Sequence, residues 1–209
     1  MPMYKIASGE VKKGKKSSVL TIPVLLKDLP PPSRPIELMK KYNFNIAGVP
    51  AFHTVTALGC PFTCHFCESG SEKLKKFSDY MINKDLETMA KAHKELGHEK
   101  SAVMIFDDVG LMSPTQVKGL SELIKNNGFN TWRAFTHAYM VIKHKDNLLG
   151  PFYDTGGRRI GMGLETGSQK SLDLINKRNG QPQNVSDHYE SVIIANELGI
   201  AIDAFTMIY

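Results

Sequence analysis

The segment HTVTALGCPFTCHFC, residues 53–67, joins a short β-branched stretch to all three cysteines of the chain. Residues 53–58 have the composition of a β-strand, and Gly59 ends that strand immediately before Cys60. Cys64 and Cys67 follow in the same loop. Structural cysteines would be scattered through a core, whereas a cluster of this kind requires a common ligand. The segment therefore predicts a strand followed by a loop that binds a metal or a metal cluster.

Strand and helix patterns alternate along the chain after this loop. Strands are predicted at residues 102–106, 131–136, 159–164 and 200–208, and helices at 84–96, 114–127, 138–149, 169–176 and 186–198. Asn83 is the expected cap of the first helix, and Ser113-Pro114-Thr115-Gln116 forms a capping box for the second. Five strands separated by helical crossovers predict an α/β fold with a parallel sheet.

Polar residues follow successive strands of this predicted sheet. In parallel β/α folds the chemistry lies at the carboxyl ends of the strands, so these residues should converge on one site. They are Cys60, Cys64, Cys67, Asp107, Asp108, His137, Glu165 and Ser168.

The three thiolates are soft ligands that suit zinc or iron–sulfur chemistry. Structural zinc takes a closed set of four ligands, so His65 or His53 would have to complete it. A redox pair would leave one of the three cysteines without a role. A [4Fe–4S] cluster on three cysteines would keep one iron open to a substrate or cofactor. The cluster accounts for all three cysteines, and zinc and the redox pair stand as alternatives.

The pattern Cys-x-x-x-Cys-x-aromatic-Cys after the first strand of a β/α protein resembles the radical S-adenosylmethionine (SAM) superfamily. Residues 161–168, GMGLETGS, and the following 172–177 are similar to a segment of the branch that often carries a cobalamin domain. Residues 29–34, LPPPSR, are similar to the proline-rich lead-in of that branch. The resemblance runs from about residue 28 to the end and implies a TIM-like (β/α) barrel of six strands. This chain would supply five of them, a partial barrel.

The resemblance also implies what the cysteine loop binds. Cys60, Cys64 and Cys67 would hold three irons of a [4Fe–4S] cluster, and S-adenosylmethionine would chelate the fourth. Phe66 would lie near the adenine. Reductive cleavage of the sulfonium would then give a 5′-deoxyadenosyl radical that takes hydrogen from a substrate, with flavodoxin or ferredoxin as the reductant.

Four polar residues match positions at which the family binds its ligands. Asp107 and Asp108 stand where the family receives an ammonium group. Glu165 and Ser168 stand where it contacts the ribose or amino-acid end of S-adenosylmethionine. These residues are the expected cofactor contacts.

Composition and charge narrow the classes of protein further. The 209 residues are 42% hydrophobic and 22% charged, as in an ordinary globular protein. Residues 1–50 hold nine Lys or Arg and three Asp or Glu, so the net charge of +5 belongs to this basic, proline-rich lead-in. The core, residues 51–209, is nearly neutral, which argues against nucleic acid as the main partner. The absence of a long apolar run argues against a membrane span, and the cysteine usage suits the cytoplasm.

Two departures from the family qualify the prediction of activity. The chain has no Asp-x-His-x-x-Gly motif for cobalamin, and it stops after the fifth predicted strand. We therefore expect an open edge that a partner chain or a second copy covers. The alternative function is a non-catalytic module that holds zinc or an electron-transfer cluster.

Overall fold

The computed structural model describes residues 29–70, 72–177 and 183–208. Most of the basic lead-in lies outside these described residues, including the lysine-rich stretch at 12–16 and the apolar stretch at 19–26, whose composition predicts a strand. Within them, no helix combines the length and the apolar character that a membrane span requires.

The described elements alternate much as the sequence predicts. The strands are β1 (Asn45–Ile46), β2 (Val49–Thr54), β3 (Ala57–Leu58), β4 (Lys75–Lys76), β5 (Ala102–Ile105), β6 (Thr131–Thr136), β7 (Gly157–Glu165) and β8 (Ala201–Thr206). The helices are α1 (Ile36–Met39), α2 (Asp79–Glu95), α3 (Pro114–Asn126), α4 (Ala138–His144), α5 (Asp146–Asp154), α6 (Gln169–Leu174) and α7 (Val185–Glu197).

The main sheet has the strand order β1-β2-β5-β6-β7-β8 and curls into a half-barrel. The pairs β2-β5, β5-β6, β6-β7 and β7-β8 are all parallel. This confirms the predicted α/β fold and the partial barrel with five parallel strands. A sixth strand, β1, pairs antiparallel with β2 through a turn at Ala47 and Gly48, whose φ angles are 52° and 81°. Positive φ at both central residues is typical of tight hairpins, but alanine gives no sequence signal for it.

The two faces of the sheet have different surroundings. One face is buried under the helices and includes Phe52, Ile105, Trp132 and Ile160. The other is the concave face of the half-barrel, here called the lumen face, and its apolar part is a separate cluster around Met104. Alternation along each strand therefore separates core residues from residues available to the lumen.

The first parallel strand is displaced from its predicted position. It covers Val49–Thr54, whereas residues 53–58 were expected, and Ala57–Leu58 leaves the sheet to pair with Lys75–Lys76. The reason is Thr56, whose backbone N–H and hydroxyl both donate to Asp107. The side-chain acceptor replaces the sheet partner at this point.

The helix predicted at 84–96 begins earlier, at Asp79. Ser78 caps it by accepting a hydrogen bond from Met81 N at 3.2 Å. Asn83 is not a cap, because it lies inside the helix and donates to Glu87. The apolar stripe extends one turn further towards the N-terminus than the predicted boundary allowed.

The helix predicted at 114–127 starts at Pro114, as expected, whereas the helix predicted at 138–149 differs from its prediction. Ser113 caps α3 by accepting from Gln116 N. The Gln116 side chain, however, bonds Met112 N and Gly110 O instead of closing the box. The helix predicted at 138–149 is two helices, α4 and α5, because Lys145 has a φ of 44° and turns the chain between them.

A buried ion pair attaches the lead-in to the half-barrel. The Arg34 guanidinium donates to both oxygens of Asp85 on α2 at 2.6 Å and to the backbone carbonyl of His53 at 2.8 Å. Thr54 donates to the same carboxylate. Bidentate geometry of this kind fixes orientation as well as distance, so the segment before α1 has one defined position on the sheet.

Candidate cofactor site

A cavity of about 310 Å³ opens at the carboxyl ends of the parallel strands. It brings together residues from the cysteine loop and from the ends of β5, β6, β7 and β8. Among the predicted site residues, those that line it are Cys60, Cys64, Phe66, Cys67, Asp108, His137 and Glu165. Two predicted residues, Asp107 and Ser168, do not line it.

The cysteine loop is held by its own backbone and by the segment after α6. Cys67 N donates to Cys64 O at 3.2 Å. His65 N donates to Ile175 O at 3.0 Å, and the Asn176 amide donates to Thr63 O at 3.1 Å. These contacts position the loop from two sides and leave Cys67 exposed, while Cys60 is buried.

The three thiols share an environment that raises the cost of ionisation at Cys60. Burial raises the pKa of the Cys60 thiol, and the neighbouring Cys64, Cys67 and Asp108 raise it further, against one backbone hydrogen bond that lowers it. Iron ligation would compensate this cost, because a metal binds the thiolate.

The described residues do not form a preassembled site for a single zinc ion. Throughout residues 29–70, 72–177 and 183–208, no three His, Cys, Asp or Glu side chains converge tightly enough for one metal ion. The His53 ring packs on Phe44 and Phe106, and His65 is exposed. A cluster binds each cysteine at a different iron, so it does not need convergence on one point.

The two acids after β5 have different partners. Asp107 is buried and accepts from Thr56 N at 2.6 Å and from the Thr56 hydroxyl at 2.5 Å. Burial raises the pKa of its carboxyl, and the Thr56 bonds oppose that shift. Asp108 is exposed and accepts from Gly59 N at 3.2 Å and from the Ser69 hydroxyl at 3.1 Å. Asp108 thus joins the two ends of the cysteine loop, and it also lines the cavity.

Glu165 is held in a left-handed backbone conformation at the end of β7. Its φ is 58°, and the register of β7 against β8 shifts between Gly163 and Glu165. Bulges of this kind redirect a side chain, and strained non-glycine residues concentrate at functional sites. The carboxylate of Glu165 forms a buried ion pair with Lys177 Nζ at 2.7 Å. A side chain at Gly163 would collide with both members of that pair.

Phe66 lies close to this ion pair, whereas Ser168 is exposed at the start of α6. The Phe66 ring lies 5.9 Å from Lys177 Nζ, which connects the cysteine loop to the buried ion pair. Ser168 is exposed and caps α6, with its hydroxyl accepting from Ser171 N at 3.3 Å. Its side chain therefore serves the helix in this structure.

His137 is a buried neutral imidazole in the cavity wall. Its ring stacks on Phe62 with centroids 4.1 Å apart, and its Nδ1 accepts from the Gln183 amide at 2.8 Å. Gln183 in turn accepts from His188 Nε2 at 3.1 Å. Burial lowers the pKa of His137 to about 3, with the charges of Lys177 and His188 adding to the effect. Nε2 therefore holds the proton, and it has no acceptor within the described parts of the chain.

Lys177, Gln183, Phe135 and Phe205 were not among the predicted site residues. Lys177 ends the 172–177 segment that resembles the family, so the sequence contained a signal for it. The other three are brought to the site by contacts between distant segments, which residue spacing does not encode.

Comparison with known proteins places this geometry in a family. Residues 54–209 match the family model of the radical SAM superfamily. An uncharacterized methyltransferase from Pyrococcus horikoshii is 25% identical over 150 residues, 72% of this chain and 31% of that protein. The anaerobic magnesium-protoporphyrin IX monomethyl ester cyclase of Rubrivivax gelatinosus is 27% identical over 134 residues, 61% of this chain and 22% of that protein. This chain thus spans less than a third of the length of these relatives.

Solved structures share the fold at low sequence identity. The radical SAM methyltransferase TsrM from Kitasatospora setae, with tryptophan and a SAM analogue bound, superposes with a TM-score of 0.56 at 16% identity, covering 74% of this chain and 30% of that one. Coproporphyrinogen III oxidase HemN from Escherichia coli gives 0.52 at 18%, covering 81% and 39%. Methylornithine synthase PylB gives 0.52 at 13%, covering 74% and 43%.

Proposed function

The chain belongs to the radical SAM superfamily, and from that premise we propose that it binds a [4Fe–4S] cluster through Cys60, Cys64 and Cys67 and cleaves S-adenosylmethionine. The observation that supports this most directly is the shared cavity of the three cysteines, Asp108 and Glu165. The donor set fits the cofactor, because three thiols serve three irons and leave the fourth for S-adenosylmethionine. When bound, these cofactors supply a 5′-deoxyadenosyl radical for hydrogen abstraction.

The protein's part is to bind, orient and shield the reactants. Asp108 fixes the loop through Gly59 and Ser69, and its exposed carboxylate is suited to receive an ammonium group. Glu165 is held by Lys177, so its free oxygen can accept from a ribose hydroxyl or an ammonium. Asp107 acts behind the site by fixing Thr56.

Two aromatic residues and one histidine complete the proposed site. Phe66 is half-exposed at the rim of the cavity, where it can cover an adenine. Phe62 is buried and supports the ring of His137. His137 can donate a hydrogen bond from its Nε2–H to an oxygen of a bound ligand. We further propose a cytoplasmic protein that receives electrons from a flavodoxin or a ferredoxin.

Anaerobic reconstitution with iron and sulfide tests the proposal. We expect about four irons per chain, the content of one [4Fe–4S] cluster, and 5′-deoxyadenosine after addition of S-adenosylmethionine and dithionite. Cys60→Ala, Cys64→Ala or Cys67→Ala should each abolish the cluster. His65→Ala is the matched control, since its exposed side chain lies in the same loop, and it should keep the iron content.

Two outcomes would contradict the proposal. Stoichiometric zinc that survives iron reconstitution would favour the zinc-binding module. A stable cluster without 5′-deoxyadenosine would favour an electron-transfer module.

A further inference from the structure

The lumen face of the half-barrel has an unbalanced pair of arginines. Arg133 on β6 and Arg159 on β7 are opposite each other in the sheet register. Asp203 on β8 accepts from Arg133 Nε at 2.8 Å and from Arg159 Nη2. One carboxylate thus faces two guanidinium groups. On the same face, burial and the charges of Arg34 and Arg133 lower the pKa of His53, which disfavours a further positive charge there.

The two arginines have N–H donors for which the described residues supply no acceptor. Each guanidinium has five N–H donors, and the described residues accept at Nε and Nη1 of Arg133 and at Nη2 of Arg159. The Nη1 acceptor is the sulfur of Met104, a weak one. Arg159 Nε is buried without an acceptor in the described segments, yet 41% of the Arg159 side chain is exposed. An external anion can therefore reach Arg159 and complete the charge balance.

A continuous row of rings crosses the same face, here called the aromatic arc. Its members are Phe44, His53, Phe106, Phe135 and Phe205. Successive ring centroids are 4.5, 5.9, 5.7 and 5.9 Å apart. Phe106 and Phe205 are 56% and 46% exposed, so the arc presents aromatic surface to the lumen.

The arc connects the arginines to the cofactor cavity. Phe135, Gly161 and Phe205 also line the cavity of the cysteines. A side chain at Gly161 would collide with the ring of Phe135 and approach that of Phe205. Arg159 precedes Gly161 by two residues on the same face, a rise of about 7 Å along the strand. A molecule of a few fused rings is long enough to contact Arg159 and extend to the cavity.

We propose that the lumen face binds a small planar, ring-containing molecule that carries a carboxylate. Its rings would lie on the aromatic arc, and its carboxylate would accept from Arg159 beside Arg133. This inference deepens the proposed function, on which it rests, because it names the substrate class that would meet the cofactor cavity. Stacking on rings and a charge-assisted bond to a guanidinium are the interactions this surface offers.

Binding of 2-naphthoate to the full chain tests the inference without any cofactor. Isothermal titration should give a higher affinity for 2-naphthoate than for 2-naphthamide, which lacks the charge, and for cyclohexanecarboxylate, which lacks the aromatic rings. Arg159→Gln should reduce the affinity for 2-naphthoate about tenfold or more, as expected for a lost bond to a charged group.

The chain offers a matched control in the same strand. Arg158 bonds Tyr153 O and lies over the Tyr153 ring, away from Asp203, so Arg158→Gln should leave 2-naphthoate binding unchanged. Phe205→Leu provides a second variant on an exposed ring and should reduce the preference for 2-naphthoate over cyclohexanecarboxylate. Thermal melts verify that each variant is folded.

Failure here and failure of the proposed function are distinguishable. No binding of 2-naphthoate, equal affinity for 2-naphthamide, or equal effects of the Arg158 and Arg159 variants would each overturn the inference, even in a chain that forms 5′-deoxyadenosine. Selective 2-naphthoate binding by a chain that forms no 5′-deoxyadenosine would overturn the proposed function and support the ligand class.

Discussion

Asp107 and Asp108, which follow β5, have the same side chain but differ in burial. Asp107 is buried and is the acceptor for two groups of Thr56. Asp108 is exposed at the cavity and receives only longer bonds from Gly59 and Ser69. Removal of the first carboxylate would leave two donors without an acceptor inside the protein, whereas water can replace the second.

We expect Asp107→Ala to lower the free energy of unfolding by roughly 1–3 kcal/mol for each donor left unsatisfied. Asp107→Asn should recover most of that loss, because an amide oxygen can accept from Thr56 N and the raised pKa shows that burial disfavours the charge. Urea unfolding of the three proteins measures the difference.

Asp108→Ala should behave in the opposite way. Its stability should stay near that of the wild type, while the affinity of the reconstituted protein for S-adenosylmethionine should fall about tenfold or more. Equilibrium dialysis measures the affinity. Unchanged affinity would make Asp108 a support of the cysteine loop alone, and equal destabilisation by both alanine variants would contradict the difference in their surroundings.

Much of this site could be predicted because its signals are local in sequence. The cysteine spacing and the acids after β5 and β7 are each contained in a few consecutive residues. The contact between His137 and Gln183 joins positions 46 apart. No spacing rule predicts such a pair, since it depends on how α7, which follows Gln183, packs against α4, which follows His137.

At the scale of elements, the end of α2 depends on a pair of histidines. His93 Nε2 donates to Ala102 O on β5 at 3.2 Å, and its Nδ1 lies 2.8 Å from His98 Nδ1. The ring also packs on Phe52, with centroids 4.1 Å apart. Burial lowers the pKa of His93 to about 4, and the charge of His98 adds to this effect.

This shift predicts acid sensitivity with a defined sign. The unfolded chain takes up a proton near pH 6.5, and the folded chain does so only near pH 4. The contribution of His93 is therefore complete above pH 6.5 and is lost as the pH falls towards 4. The slope is at most about 1.4 kcal/mol per pH unit.

Urea unfolding between pH 7 and pH 5 measures this effect. The His93→Phe variant should lose less stability than the wild type over that range, because the titrating group is gone. His65→Gln, at an exposed position, should follow the wild type. Parallel curves for the His93 variant and the wild type would show that the histidine pair does not control the acid response.

The order of elements was easier to predict than their limits. The strand Thr131–Thr136 coincides with its prediction, and five of its six residues are buried. The predicted helix at 138–149 contains a break at Lys145, which lets Leu148 and Phe152 turn towards the core. That break is a result of packing against the sheet, and the helical pattern alone does not contain it.

At the scale of the molecule, the two edges of the sheet differ in how far other segments cover them. At one side β1 pairs with β2, and the Arg34–Asp85 pair holds the lead-in against β2. At the other side, β8 pairs with β7 and with no further strand in the described part of the chain. An apolar groove of about 400 Å³ lies between β8 and α7 and is lined by Ile193 and Ile202 among others. Unpaired edges beside apolar surface favour association between chains.

We therefore expect the 209-residue chain to self-associate through this edge. Size-exclusion chromatography with light scattering should give a mass above that of one chain. Ile193 is 55% exposed in the groove, and Ile193→Glu should shift the protein towards the monomer because a charge there opposes apolar contact. Leu174 is more exposed, at 71%, but lies outside the groove, so Leu174→Glu should leave the mass unchanged. A wild-type monomer that binds the cluster and S-adenosylmethionine would show that the edge needs no cover.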